Sequence, residues 1–134
     1  MIVVDTNIVS YFILPSPHIA LAREAAHRDV WCAPLLWRSE FRNVLAVSMR
    51  QTGMQLTTAA EAMATAERLL WGREYSVRSS SVLDCVARSK RSAYDCEFVA
   101  LAEDLGTRLL TTDEPLIREF PTVAIHLRDY AASN

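Results

Sequence analysis

The chain alternates short, wholly apolar runs with longer segments of helical period, and that alternation is the tightest constraint on its fold. Residues 2–4, the run VWCAP at 30–34, RLLTTD at 108–113 and TVAIHL at 122–127 read as strands, and residues 75–78 as extended. Between them lie helical segments: 7–14, 18–29, 35–53, 59–72, 79–92, 93–106 and 114–120. Pro15, Pro17 and Pro34 stop elements, Gly53 and Gly106 stand where helices end, and Pro115 stands near a helix start. Thr57 or Thr58 is the expected cap of the fourth helix and the serines at 79–81 of the fifth. A strand apolar on both faces needs cover on both faces. Connections made of helices let such strands run parallel. The predicted architecture is α/β: a central parallel sheet covered on both faces by helices. No repeat, low-complexity segment or linker interrupts it, so one domain is expected over residues 1–134.

Composition excludes several alternatives. Half of the 134 residues are hydrophobic, enough for a packed core and too many for a disordered chain. The formal charge of −2 rules out a polycationic surface but leaves room for a local basic patch. Lys90 is the only lysine beside thirteen arginines. The three cysteines, Cys32, Cys85 and Cys96, form no CxxC pair, which fits a reduced, cytoplasmic protein better than a disulfide or zinc scaffold. Met1 leads straight into a strand without a basic leader, so no signal peptide is expected. No apolar stretch reaches the roughly 20 residues of a membrane span.

Two of the apolar runs end in aspartate. Asp5 and Asp113 both fall at the carboxyl end of a strand, the edge where open parallel sheets hold their ligands. Each is also followed by a helix start, so each has a second reading as an N-cap. Glu40 lies inside the long third helix beside Leu36, Trp37, Asn43 and Val44, with Arg38 and Arg42 on another face. It either reaches solvent or enters a polar crevice at the edge of the core. Asp95 sits in the first turn of its helix, where an acid also favours the helix dipole. Four carboxylates converging on one sheet edge would raise one another's pKa values. A hard divalent cation that takes oxygen ligands and keeps its waters would relieve that repulsion. Such an ion, or a pair of ions, can activate water and stabilise both oxygens of an in-line phosphodiester displacement.

These residues carry a family resemblance. VVDTNIVS, LLWRSEFRNVL and SAYDCEFVALAEDLGTRLLTTDEPL are similar to the motifs of PIN-domain nucleases, and most of all to the VapC-type toxins of bacterial toxin–antitoxin systems. The likeness runs from Ile2 to about Leu127. It implies a three-layer α/β/α sandwich in which Asp5, Glu40, Asp95 and Asp113 hold Mg²⁺ or Mn²⁺ and cleave RNA. It also implies a homodimer and an antitoxin that blocks the acidic site. Thr6 and Asn7 follow the first acid as in the family and are expected to orient Asp5 by hydrogen bonds. Thr111 or Thr112 is expected to line the same crevice. Glu97 and Glu114 stand beside core acids as weaker candidates. Arg38 and Arg42, with Arg88, Lys90 and Arg91, are candidate RNA contacts around the acidic site.

Other chemistries lack a part. A dehalogenase-like phosphatase needs a second aspartate two residues after the first, where Asn7 stands. An α/β-hydrolase needs a G-x-S-x-G turn, and none exists. His18, His27 and His126 have no metal-ligand spacing. Three readings stay open beside the toxin: a PIN nuclease without an antitoxin, a phosphatase of small phosphoesters, and a module that binds RNA or protein without turnover.

Overall fold

A computed structural model describes residues 1–133. The elements in chain order are β1 (Ile2–Val4), α1 (Thr6–Ile13), α2 (Ile19–Arg28), β2 (Trp31–Pro34), α3 (Leu36–Thr52), α4 (Leu56–Leu69), β3 (Glu74–Tyr75), α5 (Ser79–Ala87), α6 (Ala93–Leu105), β4 (Leu109–Thr111), α7 (Glu114–Glu119), β5 (Ala124–His126) and α8 (Leu127–Ala132). The five strands form one sheet in the order β3-β2-β1-β4-β5, and every neighbouring pair is parallel. The fold is therefore the expected α/β sandwich.

Strand parity builds two cores. Ile2 and Val4 of β1, Trp31 and Ala33 of β2 and Leu110 of β4 face one side, packing with Ile8, Val9, Trp37, Phe41, Ala66 and Leu127. The residues between them, Val3, Cys32 and Leu109, face the other side and pack with Cys85, Cys96, Phe98, Val99 and Leu116. Successive side chains of a strand point to opposite faces, so a wholly apolar triplet feeds both layers at once. One layer is α1–α4 with α8; the other is α5–α7.

The strand order fixes where a ligand can enter. The chain leaves central β1 for β2 and β3 on one side, then returns to place β4 and β5 on the other. The helices after β1 and before β4 lie on opposite faces. Their divergence opens a crevice beyond the carboxyl ends of β1 and β4. Val4 pairs with Leu110 at this point, and the Asp5 amide donates to the Leu110 carbonyl at 3.2 Å.

Local signals fared unevenly. Gly53 and Gly106 do end α3 and α6, with φ of 72° and 66°. Only a residue without a Cβ enters that left-handed region without strain. The caps expected at Thr57 or Thr58 are corrected: α4 starts at Leu56, so both threonines lie within its first turn and the cap position is Gln55. The serines at 79–81 do not cap α5 either, since its cap position is Arg78 and no side chain bonds there. The strand expected at 75–78 is the two-residue β3, beginning one residue earlier. The sequence reading stopped at the last strand and did not anticipate α8. This helix is six residues long, too short for a periodic signal, and is started by the His126 ring, whose Nδ1 accepts from the Arg128 amide at 3.0 Å. No helix among the described residues is long and apolar enough to cross a membrane.

Candidate active site

A cleft of about 460 Å³ opens at the switch point and is lined by Asp5, Glu40, Asp95 and Asp113, with Thr6 and Asn7 beside them. Four separate elements supply the four acids: the end of β1, the middle of α3, the first turn of α6 and the N-cap of α7, two residues past β4. They lie up to 108 positions apart in the sequence and meet because β1 and β4 are neighbours.

Asp5 is held at both carboxylate oxygens. Oδ1 accepts the Ile8 amide at 3.1 Å, capping α1, and Oδ2 accepts the Thr111 hydroxyl. Thr111 is itself fully buried and accepts the Asp113 amide at 3.0 Å, so one hydroxyl ties both strand-end acids together. Asp113 caps α7 through Oδ1 and the Leu116 amide at 3.0 Å. The cap reading of each strand-end aspartate is thus correct, and it leaves lone pairs on both carboxylates for a further partner. Glu40 caps nothing. Its Oε1 accepts the Thr6 hydroxyl at 2.6 Å. Thr6 therefore orients Glu40, a correction to its expected partner Asp5. Helical spacing reads correctly here, since Leu36, Asn43 and Val44 line the cleft with Glu40, whereas Trp37 turns into the core. Asp95 is placed by its own backbone, whose amide donates to the capping Ser92 hydroxyl at 3.1 Å.

The electrostatics are those of crowded, partly dehydrated anions. Burial pushes Asp5 up to about 6, aided by the charges of Asp113 and Glu40 and opposed by the Thr111 and Ile8 hydrogen bonds. Burial also raises Glu40, with the Thr6 bond opposing and Asp95 adding. Asp95 is raised by burial and by Asp113, and Arg91 offsets part of this. Glu97 lies outside the cleft lining, yet burial and the Glu40 charge raise it too. Glu114 is an exposed acid in the first turn of α7. Among the described residues, no salt bridge neutralises any of the four cleft acids.

Such a donor set fits a hard divalent cation: the donors are all carboxylate oxygens, and among the described residues none is salt-bridged. Among the described residues, no three acidic, thiol or imidazole groups stand close enough to enclose one ion directly. A hydrated ion reached partly through its waters suits that spacing, and Mg²⁺ keeps several waters by preference.

The other residues singled out from sequence scatter. Asn7 is exposed at the cleft, while Thr112 lies outside its lining and meets the Tyr11 hydroxyl at 3.2 Å. Arg38 does not face the cleft. It grips Glu74 at 2.6 and 2.9 Å and Glu67 at 3.0 Å, and Trp37 Nε1 donates to the same Glu74 at 2.6 Å. Arg88 pairs with Asp84 and Glu103, and Arg91 with Glu119 at 2.6 Å. Arg42 and Lys90 are exposed, with no salt bridge among the described residues. What the sequence reading missed is the cleft's apolar wall of Tyr94, Phe98 and Leu116. Phe98 stands one turn from Tyr94 and Asp95, a spacing that could have signalled it.

The fold and the acids place the chain in a known class. Residues 2–120 match the family model of the PIN domain, and the chain belongs to that family. PIN domains are generally nucleases that use divalent metal ions. The crystal structure of FitAcB from Neisseria gonorrhoeae superimposes with a TM-score of 0.76 at 14% identity, covering 96% of this chain and 99% of that one. The structure of FitAB bound to an IR36 DNA fragment gives 0.72 at 15% identity, covering 95% of each chain. PAE2754 from Pyrobaculum aerophilum gives 0.74 at 18% identity, covering 98% and 89%. Among curated proteins, none matches the sequence.

Proposed function

We propose that this chain is a Mg²⁺- or Mn²⁺-dependent endoribonuclease, a single-domain VapC-type toxin that works in the cytoplasm as a homodimer held in check by an antitoxin. The observation that carries the reading is the cleft itself: Asp5, Glu40, Asp95 and Asp113, from four elements, share one crevice, and among the described residues no cation is salt-bridged to them. Asp5 and Asp113 alone could be explained as caps. Glu40 has no such role, and placing a mid-helix carboxylate in this crevice costs free energy unless a cation enters. The motif likeness to VapC-type toxins supports the toxin and antitoxin assignment. A fold neighbour bound to a DNA fragment favours nucleic acid as the class of molecule met.

In this reading Asp5, Glu40, Asp95 and Asp113 would hold the ion directly or through water. Bound there, it would supply water activation and charge neutralisation at the scissile phosphate. Thr111 and Thr6 fix the directions of Asp5 and Glu40, so the ligand oxygens are arranged before substrate arrives. One of the four carboxylates takes the proton of the attacking water.

Cleavage of a pooled fluorogenic RNA against Mg²⁺ and Mn²⁺ concentration tests this, with Asp95→Asn purified alongside and both proteins checked for folding. Metal-dependent cleavage, abolished by EDTA and absent from the variant, is expected, with 5′-phosphate and 3′-hydroxyl ends. Products with 2′,3′-cyclic phosphate would sink the mechanism. Equal activity in both proteins would expose a contaminating ribonuclease.

A further inference from the structure

We infer that Tyr94 is a stacking platform for an unpaired nucleobase beside the scissile phosphate, and so selects single-stranded or splayed RNA. The inference rests on the ribonuclease reading of the same cleft. Tyr94 lines that cleft while keeping 64% of its surface exposed, and among the described residues no hydrogen bond engages its hydroxyl. Its backbone is fixed nonetheless. It is the second residue of α6, with Ser92 capping the helix before it and Asp95 next in the chain.

One turn further on, Phe98 lines the same cleft at only 3% exposure. Leu36 and Val44, one turn either side of Glu40, and Leu116, whose amide Asp113 caps, add apolar surface between the acids. The crevice thus sets two chemistries side by side: carboxylates that would hold a metal ion, and apolar side chains with an aromatic lip next to them. Each nucleobase has a π-face that stacks on such a ring, and only an unpaired base offers it. The tryptophans do not compete for this role. Trp31 and Trp37 are buried, and Trp71, though 73% exposed, precedes β3 at the opposite edge of the sheet.

The test uses short single-stranded RNAs carrying one 2-aminopurine, moved along the sequence. Wild type, Tyr94→Phe and Tyr94→Ala are compared, binding being read by fluorescence in Ca²⁺ and cleavage in Mn²⁺. Wild type and Tyr94→Phe should quench the probe at one position, and Tyr94→Ala should not. Tyr94→Ala should also raise KM roughly tenfold, the loss expected for one stacked base, with kcat changed less than about threefold. Equal quenching and KM in all three proteins would overturn the inference. So would a Tyr94→Phe defect as large as that of Tyr94→Ala, because the hydroxyl would then be the active group. RNA bound and quenched but not cleaved by wild type would sink the nuclease and keep the stacking. Absence of RNA binding by folded wild type would sink both.

Discussion

The carboxyl of Asp5 is pulled two ways: burial and two neighbouring acids favour its proton, while the Thr111 hydroxyl and the Ile8 amide favour its charge. Its folded pKa of about 6 lies above the ordinary 3.8, so the folded state holds the proton more tightly than the unfolded chain does. Metal-free stability from this group is therefore full below about pH 4 and is lost as pH rises to about 6, by an amount on the order of 3 kcal/mol. Other carboxylates contribute their own slopes, so the measurement is the difference between wild type and Asp5→Asn in urea unfolding across that window. The wild type should lose stability relative to the variant as pH rises. Thr111→Val keeps the shape of a buried side chain while deleting the hydroxyl that joins Asp5 to Asp113. Losing such an orienting bond should lower metal-dependent cleavage about 10- to 100-fold and stability by about 1–2 kcal/mol. Cleavage assays with urea melts separate the two effects.

Between elements, the Arg38 guanidinium joins α3 to β3 and to α4 through Glu74 and Glu67. Its partner Glu74, partly buried, is held below the usual carboxylate range chiefly by that bond. Arg38→Met should cost roughly 2 kcal/mol of stability and leave the salt dependence of RNA binding unchanged. Arg42→Ala, on the exposed side of the same helix, should leave stability unchanged and make the salt slope shallower by about one unit. Thermal melts and anisotropy at several salt concentrations distinguish the two arginines. Sequence alone treated them alike, because helical spacing tells which residues share a face and not what that face meets. The same limit explains Thr6. Its place after Asp5 was visible, but its partner Glu40 lies 34 residues away and is set by how α1 crosses α3. By contrast, the strand ends and the position of Glu40 on its stripe were legible, because apolar runs and helical period are local. The apolar lining of the cleft is less legible: Phe98 and Leu116 belong to the buried core between the sheet and α5–α7, and only the fold shows that these core positions also border a crevice.

Across the whole molecule, the two layers diverge at one edge, and the acids that line the gap repel one another. A divalent ion that enters should stabilise the folded chain as a ligand bound only to the native state. At about one hundred times its Kd it adds roughly 2.7 kcal/mol, worth several degrees in Tm for a chain of this size. Mn²⁺ should raise the Tm of wild type at pH 7, and much less that of Glu40→Gln. No shift in wild type would show that the carboxylates hold no ion.

The hydroxyl of Thr111 and the carboxylate of Asp5 touch across 106 positions of sequence. During synthesis, then, the first acid leaves the ribosome long before the strand that completes its surroundings, and through that interval the central strand has a neighbour on one side only. A nascent chain shorter than about residue 113 holds half a crevice. For the RNA-cutting activity proposed above, this ordering is a form of safety: the blade is assembled last, only once the strand that leads to Asp113 has been made.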